Sequence, residues 1–254
     1  MLLENKTALV VGAAGLLGRE IVSSIVKEGG RVVAADFNKE ALETLTELFD
    51  ANQLITIEID ITSKESIKNV FHSIDSAWGG FDVAVNTAYP RNANYGRKVF
   101  DVTFEDFSEN LGLHLGGYFL FMQQCAAYTK EKRAPLSVVN LSSIYGLMAP
   151  RFEIYDGTSM TVPVEYAAIK SALLHLNKYF TSFMKGTGFR VNSVSPGGLL
   201  DNQDEKFLSK YNAHCMEKGM LNPEDVTGAI NFLLSDNSRY MSGQNLIVDD
   251  AFSV

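Results

Sequence analysis

Cysteine, positive charge and long apolar runs are all scarce in this chain, and each shortage removes a class of function. Cys125 and Cys215 are the only cysteines, with no C-x-x-C and no cysteine–histidine cluster. That leaves neither a zinc site nor a disulfide framework, and both thiols are expected to be buried in a reducing compartment. Acidic residues outnumber basic ones by 30 to 22, for a net charge of −8. Such a chain has no electrostatic hold on a nucleic-acid backbone or an anionic membrane. No stretch approaches the length of a membrane span, and the start (Met1 to Lys6) lacks a signal-peptide pattern. A cytoplasmic protein with no metal, membrane or nucleic-acid partner is expected. There are no repeats, linkers or low-complexity tracts, and 254 residues at 46% hydrophobic can bury a large core as a single domain.

What is present is a regular alternation of strands and helices. Thr7–Val11 is short, apolar and β-branched, as in a strand buried on both faces. It stops at Gly12-Ala13-Ala14-Gly15-Leu16-Leu17-Gly18, and Arg19–Lys27 then reads as a helix. Strand, glycine turn and helix form the setting of a dinucleotide fingerprint: glycines let the backbone approach a pyrophosphate, and the helix end offers free N–H groups. A second strand, Arg31–Ala35, ends at Asp36, 24 residues after Gly12. A carboxylate there can accept from both hydroxyls of an adenosine ribose and repels a 2′-phosphate, so NAD is favoured over NADP. The competing reading makes Asp36 a turn or cap residue.

Helix 39–49, strand 54–59, helix 63–77 with Ser63 as N-cap, and strand 81–85 follow. A parallel sheet with right-handed crossovers results, with Gly12, Asp36, Asp60 and Asn86 at the carboxyl ends of its strands, where ligands bind. Beyond lie a long helix (105–130) holding His114, strand 136–141, helix 166–184, strand 190–194, helices 203–218 and 224–234, and a last strand, 245–248.

The helix at 166 carries Tyr166-Ala167-Ala168-Ile169-Lys170. Tyr166 and Lys170 stand one turn apart on one face. A free phenol titrates near pH ~10 and is a poor base at neutrality. A nearby ammonium favours the phenolate, and a drop of about three units takes roughly 4 kcal/mol. Tyr and Lys four apart also occur on ordinary amphipathic helices, so the spacing alone does not decide.

Together these motifs resemble the short-chain dehydrogenase/reductase family, from about Lys6 to Asp249. The resemblance implies a single-domain α/β Rossmann fold: a seven-stranded parallel sheet with helices on both faces. It implies a Ser143, Tyr166 and Lys170 catalytic set, with Ser143 three residues before Gly146 in S-x-x-G. It assigns Ala14, Gly15, Leu16 and Leu17 to the dinucleotide turn and Asp60-Ile61 to the adenine. Asn86-Thr87-Ala88 falls beside the ribose and Pro196-Gly197 on the nicotinamide side. The expected cofactor is NAD. The serine holds the substrate oxygen, the tyrosine passes its proton, and the lysine lowers the phenol pKa and binds the ribose. Family members commonly pair helices 105–130 and 166–184 across a two-fold axis, so a homodimer or homotetramer is expected.

The chain departs from the family at three places. Its glycines are spaced G-x-x-G-x-x-G. His114 stands where the family has the asparagine of its tetrad, whose backbone carbonyl holds a relay water, so His114 is expected to serve through its carbonyl. Ser143 and Tyr166 are 23 residues apart, which marks an inserted loop. That segment, Arg151–Gly157, resembles bacterial oxidoreductases of flagellin glycosylation and nonulosonic-acid pathways, and implies a sugar-derived substrate. Two loops, 89–102 and 147–165, would cover the site. Arg91, Arg97, Lys98 and Arg151 invite an anion, and Tyr155 suits a polyol. A phosphorylated or nucleotide-linked sugar is expected, with Arg91 or Arg151 as the anion contact; alternatively these cations pair with Glu153, Asp156, Asp101 and Glu105. An idle NAD-binding sensor and a lyase or epimerase using NAD transiently remain as other functions.

Overall fold

In the computed structural model, which describes Met1–Val254, the apolar runs line up as one sheet. β1 (Thr7–Val11), β2 (Arg31–Asp36), β3 (Leu54–Glu58), β4 (Val83–Asn86), β5 (Leu136–Leu141), β6 (Phe189–Pro196) and β7 (Asn245–Val248) lie in the order β3-β2-β1-β4-β5-β6-β7. All six pairings are parallel, so every connection crosses over a sheet face. This is the seven-stranded Rossmann architecture expected from the sequence.

Alternate residues of each strand feed opposite cores. Leu9, Val11, Val33 and Ala84 enter one core, shared with α3 (Lys64–Trp78), α5 (Gly116–Lys132) and α6 (Val164–Phe183). Ala8, Val10, Val32 and Val85 enter the other, covered by α1 (Leu16–Lys27), α2 (Lys39–Thr46) and α8 (Glu224–Leu234). Each fully buried Val, Leu, Ile or Phe contributes about 1.5–3 kcal/mol. A third, smaller cluster joins Ile144 and Ile154 to α7 (Glu205–Asn212) and to Phe252 near the carboxyl end. No helix is long and apolar enough to cross a membrane.

Most expected elements appear within a few residues of their anticipated ends, and Ser63 caps α3 by accepting from Ser66 N at 3.2 Å. Two helices differ. The long helix expected over 105–130 is α4 (Phe104–Asn110), a π-helical turn (Leu111–Leu115) and α5 in unbroken succession. Such turns re-aim side chains, and this one is centred on His114. The helix expected over 203–218 stops at Asn212 because the Asp250 carboxylate accepts the N–H groups of Glu217, Lys218 and Gly219. Cys215, expected in the core, is only half-buried, whereas Cys125 is fully buried.

The sheet order reverses between β1 and β4, with Val11 paired to Asn86 and Asn86 to Asn140. The chain therefore leaves the two strands in opposite directions and opens a crevice beyond their carboxyl ends.

Candidate active site

The crevice is a cavity of about 660 Å³ whose lining includes Gly12, Gly15, Asp36, Asp60, Ile61, Thr87, Ala88 and Arg91. Its floor can exist only with glycine. Gly12 has φ +79°, and a Cβ there would lie 2.5 Å from Thr87 Oγ1; a Cβ on Gly18 would lie 2.0 Å from Gly12 O. The turn is thereby packed flat between β4 and α1. Leu16 opens α1 exposed, while Ala14 and Leu17 rest against the second core. Asp36 stands over the turn, accepting from Ala14 N at 3.0 Å and Asn38 N at 2.9 Å. Asp60 accepts from Thr62 N and Oγ1, and Ile61 packs on α5 where Gly117 leaves room. Thr87 Oγ1 donates to Val11 O at 2.9 Å. Asn86 is fully buried, with Oδ1 accepting from Ala88 N and Nδ2 without a partner. Pro196 and Gly197 lie apart from this lining, at the end of β6, where Gly197 N donates to Val248 O.

One further cation sits here, unexpected from the sequence. Arg19 reaches back across the turn, but its N–H groups are committed to Ala14 O, Thr44 Oγ1 and Ala41 O. Only its spacing from the glycines could have flagged it.

Ser143, Tyr166 and Lys170 come together at the carboxyl end of β5. Ser143 lies two residues beyond the strand, where it caps the next turn by accepting from Tyr145 N at 3.2 Å. The following turn lies directly on α6: a Cβ on Gly146 would sit 2.7 Å from the Lys170 carbonyl, and Ser142 Oγ donates to that same carbonyl at 2.9 Å. Ser142 thus has the strand-end packing role its position suggests.

Burial governs the electrostatics of Tyr166 and Lys170. Burial pushes the Tyr166 phenol above its ordinary value, opposed by the Ser143 hydroxyl. The Lys170 ammonium lies 5.5 Å from the Tyr166 ring centre and donates to Leu141 O at 2.7 Å, and burial lowers its own pKa to about 7. Low dielectric disfavours the charged form of each group.

His114 brings its side chain to the same place. The π turn directs its side chain inward, where it is 1% exposed. Nε2 is 3.5 Å from Lys170 Nζ, and Nδ1 has no partner. Burial, then the charges of Lys170 and Arg91, hold its pKa well below the usual value, so the imidazole is neutral. Its contact with the lysine runs through the side chain.

The two covering loops are built more firmly than solvated loops. Asn92 and Asn94 bond to Asp106, and Asn92 N donates to Asn110 Oδ1. Arg97 is spent on Asp106 at 3.3 Å and Asn94 at 2.6 Å; Lys98 is exposed. Arg151 is held by the C-terminal turn. Nη2 donates to Phe252 O at 3.3 Å and the guanidinium covers the Phe252 ring, because the C-terminal turn packs under its loop. Its partner is thus a carbonyl, not Glu153 or Asp156. Arg91 alone of these arginines lines the crevice, stacked 4.8 Å from the Tyr89 ring centre. Tyr155 bonds to Tyr145, hydroxyl to hydroxyl, at 3.0 Å.

Comparison with known proteins identifies the family. A family model described as enoyl-(acyl carrier protein) reductase matches residues 12–253. The chain is 38% identical over 257 residues to the post-translational flagellin modification protein A of Campylobacter coli, covering all of both chains. It is 30% identical to a 3-oxoacyl-[acyl-carrier-protein] reductase of Thermotoga maritima, over 98% of each. The crystal structure of a short chain dehydrogenase from Leptospira borgpetersenii with bound NAD+ superposes with a TM-score of 0.86 at 31% identity, covering 99% of this chain and 94% of that one. On the family match and on these full-length identities, the chain belongs to the short-chain dehydrogenase/reductase family of oxidoreductases.

Proposed function

We propose that this protein is a single-domain, NAD-dependent oxidoreductase that interconverts an alcohol and a carbonyl on a sugar derivative. The observation that carries the reading is the convergence of Ser143, Tyr166 and Lys170 beside a crevice that ends on Asp36. The residues fit a dinucleotide. Asn86 Nδ2 is a buried donor without a partner, and the Gly12 turn is a cradle that any Cβ would fill. Asp36, its carboxylate already fixed by two backbone N–H groups, faces the crevice as a ribose acceptor and a poor neighbour for a 2′-phosphate. Bound there, the nicotinamide accepts or supplies the hydride.

The chain's own groups handle the proton. Ser143 Oγ donates to the substrate oxygen, and Tyr166 takes the proton of an alcohol or gives it to a carbonyl oxygen. When the phenol loses its proton, Lys170 provides the compensating charge and His114 Nε2 accepts from the ammonium. The likeness to a flagellin modification protein and the exposed Arg91 at the crevice rim support an anionic, phosphorylated or nucleotide-linked sugar. Apolar side chains exposed along α5 and α6, among them Phe119, Tyr179 and Phe183, support a homodimer or homotetramer.

The test is a screen of phosphorylated and nucleotide-linked sugars for stoichiometric NADH formation, repeated with Tyr166→Phe. Turnover should fall at least about a hundredfold while NAD+ binding survives. Full turnover by Tyr166→Phe would place the chemistry elsewhere, and conversion without net NADH would mark an epimerase or lyase.

A further inference from the structure

Two pairs of tyrosines lie beside the Ser143–Tyr166 pair, one on the first covering loop and one joining the turn after Ser143 to the second loop. On the first loop, Tyr89 donates to the Tyr95 hydroxyl at 2.6 Å, their rings edge to face. The Tyr89 ring also stands edge-on to Tyr166, with centres 5.8 Å apart. The second pair grows out of the serine itself: Tyr145 N donates to Ser143 Oγ, and its hydroxyl meets that of Tyr155, on the inserted loop, at 3.0 Å. Tyr155 is backed by Phe207 at 5.1 Å, which packs in the small third cluster. The phenols are therefore held in place, yet all four remain partly exposed.

Hydrogen-bond arithmetic gives these pairs a function. Two phenols bring two O–H donors, and the bond between them uses one. The Tyr89–Tyr95 bond leaves the Tyr95 proton without an acceptor on the protein, and the second pair leaves one of its two protons in the same condition. Burial raises all four phenols above their ordinary value, so they stay neutral donors throughout the working pH range. Tyr89 stands against the Tyr166 ring and Tyr145 is tied to the Ser143 hydroxyl, so each pair has one member beside the reacting groups.

We propose that the Tyr89–Tyr95 and Tyr145–Tyr155 pairs form a subsite for a polyhydroxylated ring, their two spare hydroxyl protons donating to ring or acetamido oxygens on either side of the reacting carbon. This deepens the sugar reading and rests on it. A sugar ring offers acceptors around its rim and C–H faces for the aromatic rings. An acyl chain or a steroid skeleton offers few acceptors and leaves half-buried donors unpaired, so it is rejected. The pairs are specificity-determining; the proton chemistry stays with Tyr166.

Tyr95→Phe and Tyr155→Phe each delete one hydroxyl and keep the ring. With the full-length enzyme, NAD+ and the best substrate from a panel of free, N-acetylated, phosphorylated and UDP-linked hexoses, each change should raise KM about tenfold. kcat and the NAD+ dissociation constant should stay within about twofold, and the double variant should be worse than either single one. An acetoacetyl thioester and a hydroxysteroid serve as comparators and should be turned over poorly by the parent enzyme. The subsite is overturned if KM does not move, if kcat falls with KM unchanged, if a comparator is used as well as the sugar, or if no hexose is bound or turned over. Tyr166→Phe separates the two levels. A dead Tyr166→Phe beside silent phenol variants removes the subsite alone, whereas an active one removes the catalytic reading beneath it.

Discussion

Replacing Gly146 by alanine should pull the two halves of the site apart without altering any group that does chemistry. A Cβ at this position would lie 2.7 Å from the carbonyl carbon and oxygen of Lys170 and 3.0 Å from Ser171 N. All three are backbone atoms, so no flexible side chain can swing aside. Return to ordinary contact demands a displacement of roughly 0.7 Å between the turn carrying Ser143 and the helix carrying Tyr166 and Lys170. The Ser142 hydroxyl, which donates to the same Lys170 carbonyl, resists that movement and must stretch or break. Overpacking of this kind costs about 1–3 kcal/mol, and misplacing reacting groups by up to 1 Å costs as much as about a hundredfold in rate. Gly12 and Asp36, at the ends of β1 and β2, lie on the far side of β4 and should be undisturbed. Urea unfolding, NAD+ titration and steady-state kinetics on one preparation read the three effects. Stability should fall by about 1–3 kcal/mol, kcat should fall tenfold or more, and the NAD+ dissociation constant should change less than kcat, because Lys170 is only one of the cofactor contacts. A Gly146→Ala enzyme with the parent's kcat would show that the separation of Ser143 from Tyr166 does not limit catalysis, and the reasoning from this close approach would fail.

Asp36→Ala should narrow the preference for NAD(H) over NADP(H), measured as the ratio of the two dissociation constants; tighter NADP(H) binding by the unaltered enzyme would refute the carboxylate's role. Lys170 makes the stability of the cofactor-free protein depend on pH. Its folded pKa is about 7 against an ordinary 10.5, so the unfolded chain binds the extra proton between those values and stability rises with pH from about 7 upward. His114, with its folded value lowered, acts below this range, and the raised phenols act above it. Urea unfolding at about pH 7 and pH 9 should show the rise, and Lys170→Met should abolish it. His114→Phe, which removes the Nε2 acceptor, should depress kcat, with recovery in His114→Asn, which restores an acceptor; equal kcat in all three enzymes would return the role to the backbone carbonyl.

The elements of this fold were legible because each is encoded within a dozen or so residues. Apolar β-branched runs give strands buried on both faces, Ser63 caps the helix it precedes, and the glycines after β1 permit a turn that no other residue can adopt. Asp36, Tyr166 and Lys170 were legible for the same reason, since their positions relative to a strand end or to one helix turn are local. Their environments were not. The lysine's partners come from β5 and the π turn, 29 and 56 residues away in sequence, and the burial that lowers its pKa is produced by the whole packed face. Arg151 and Arg91 look alike in the sequence. One meets a C-terminal carbonyl 101 residues on and the other is left at the rim of the crevice. The tyrosine pairs likewise depend on loops folding back upon themselves. A charge or a hydroxyl is written in the chain, but its solvation and its partner are properties of the space around it, and that space exists only once distant segments have packed.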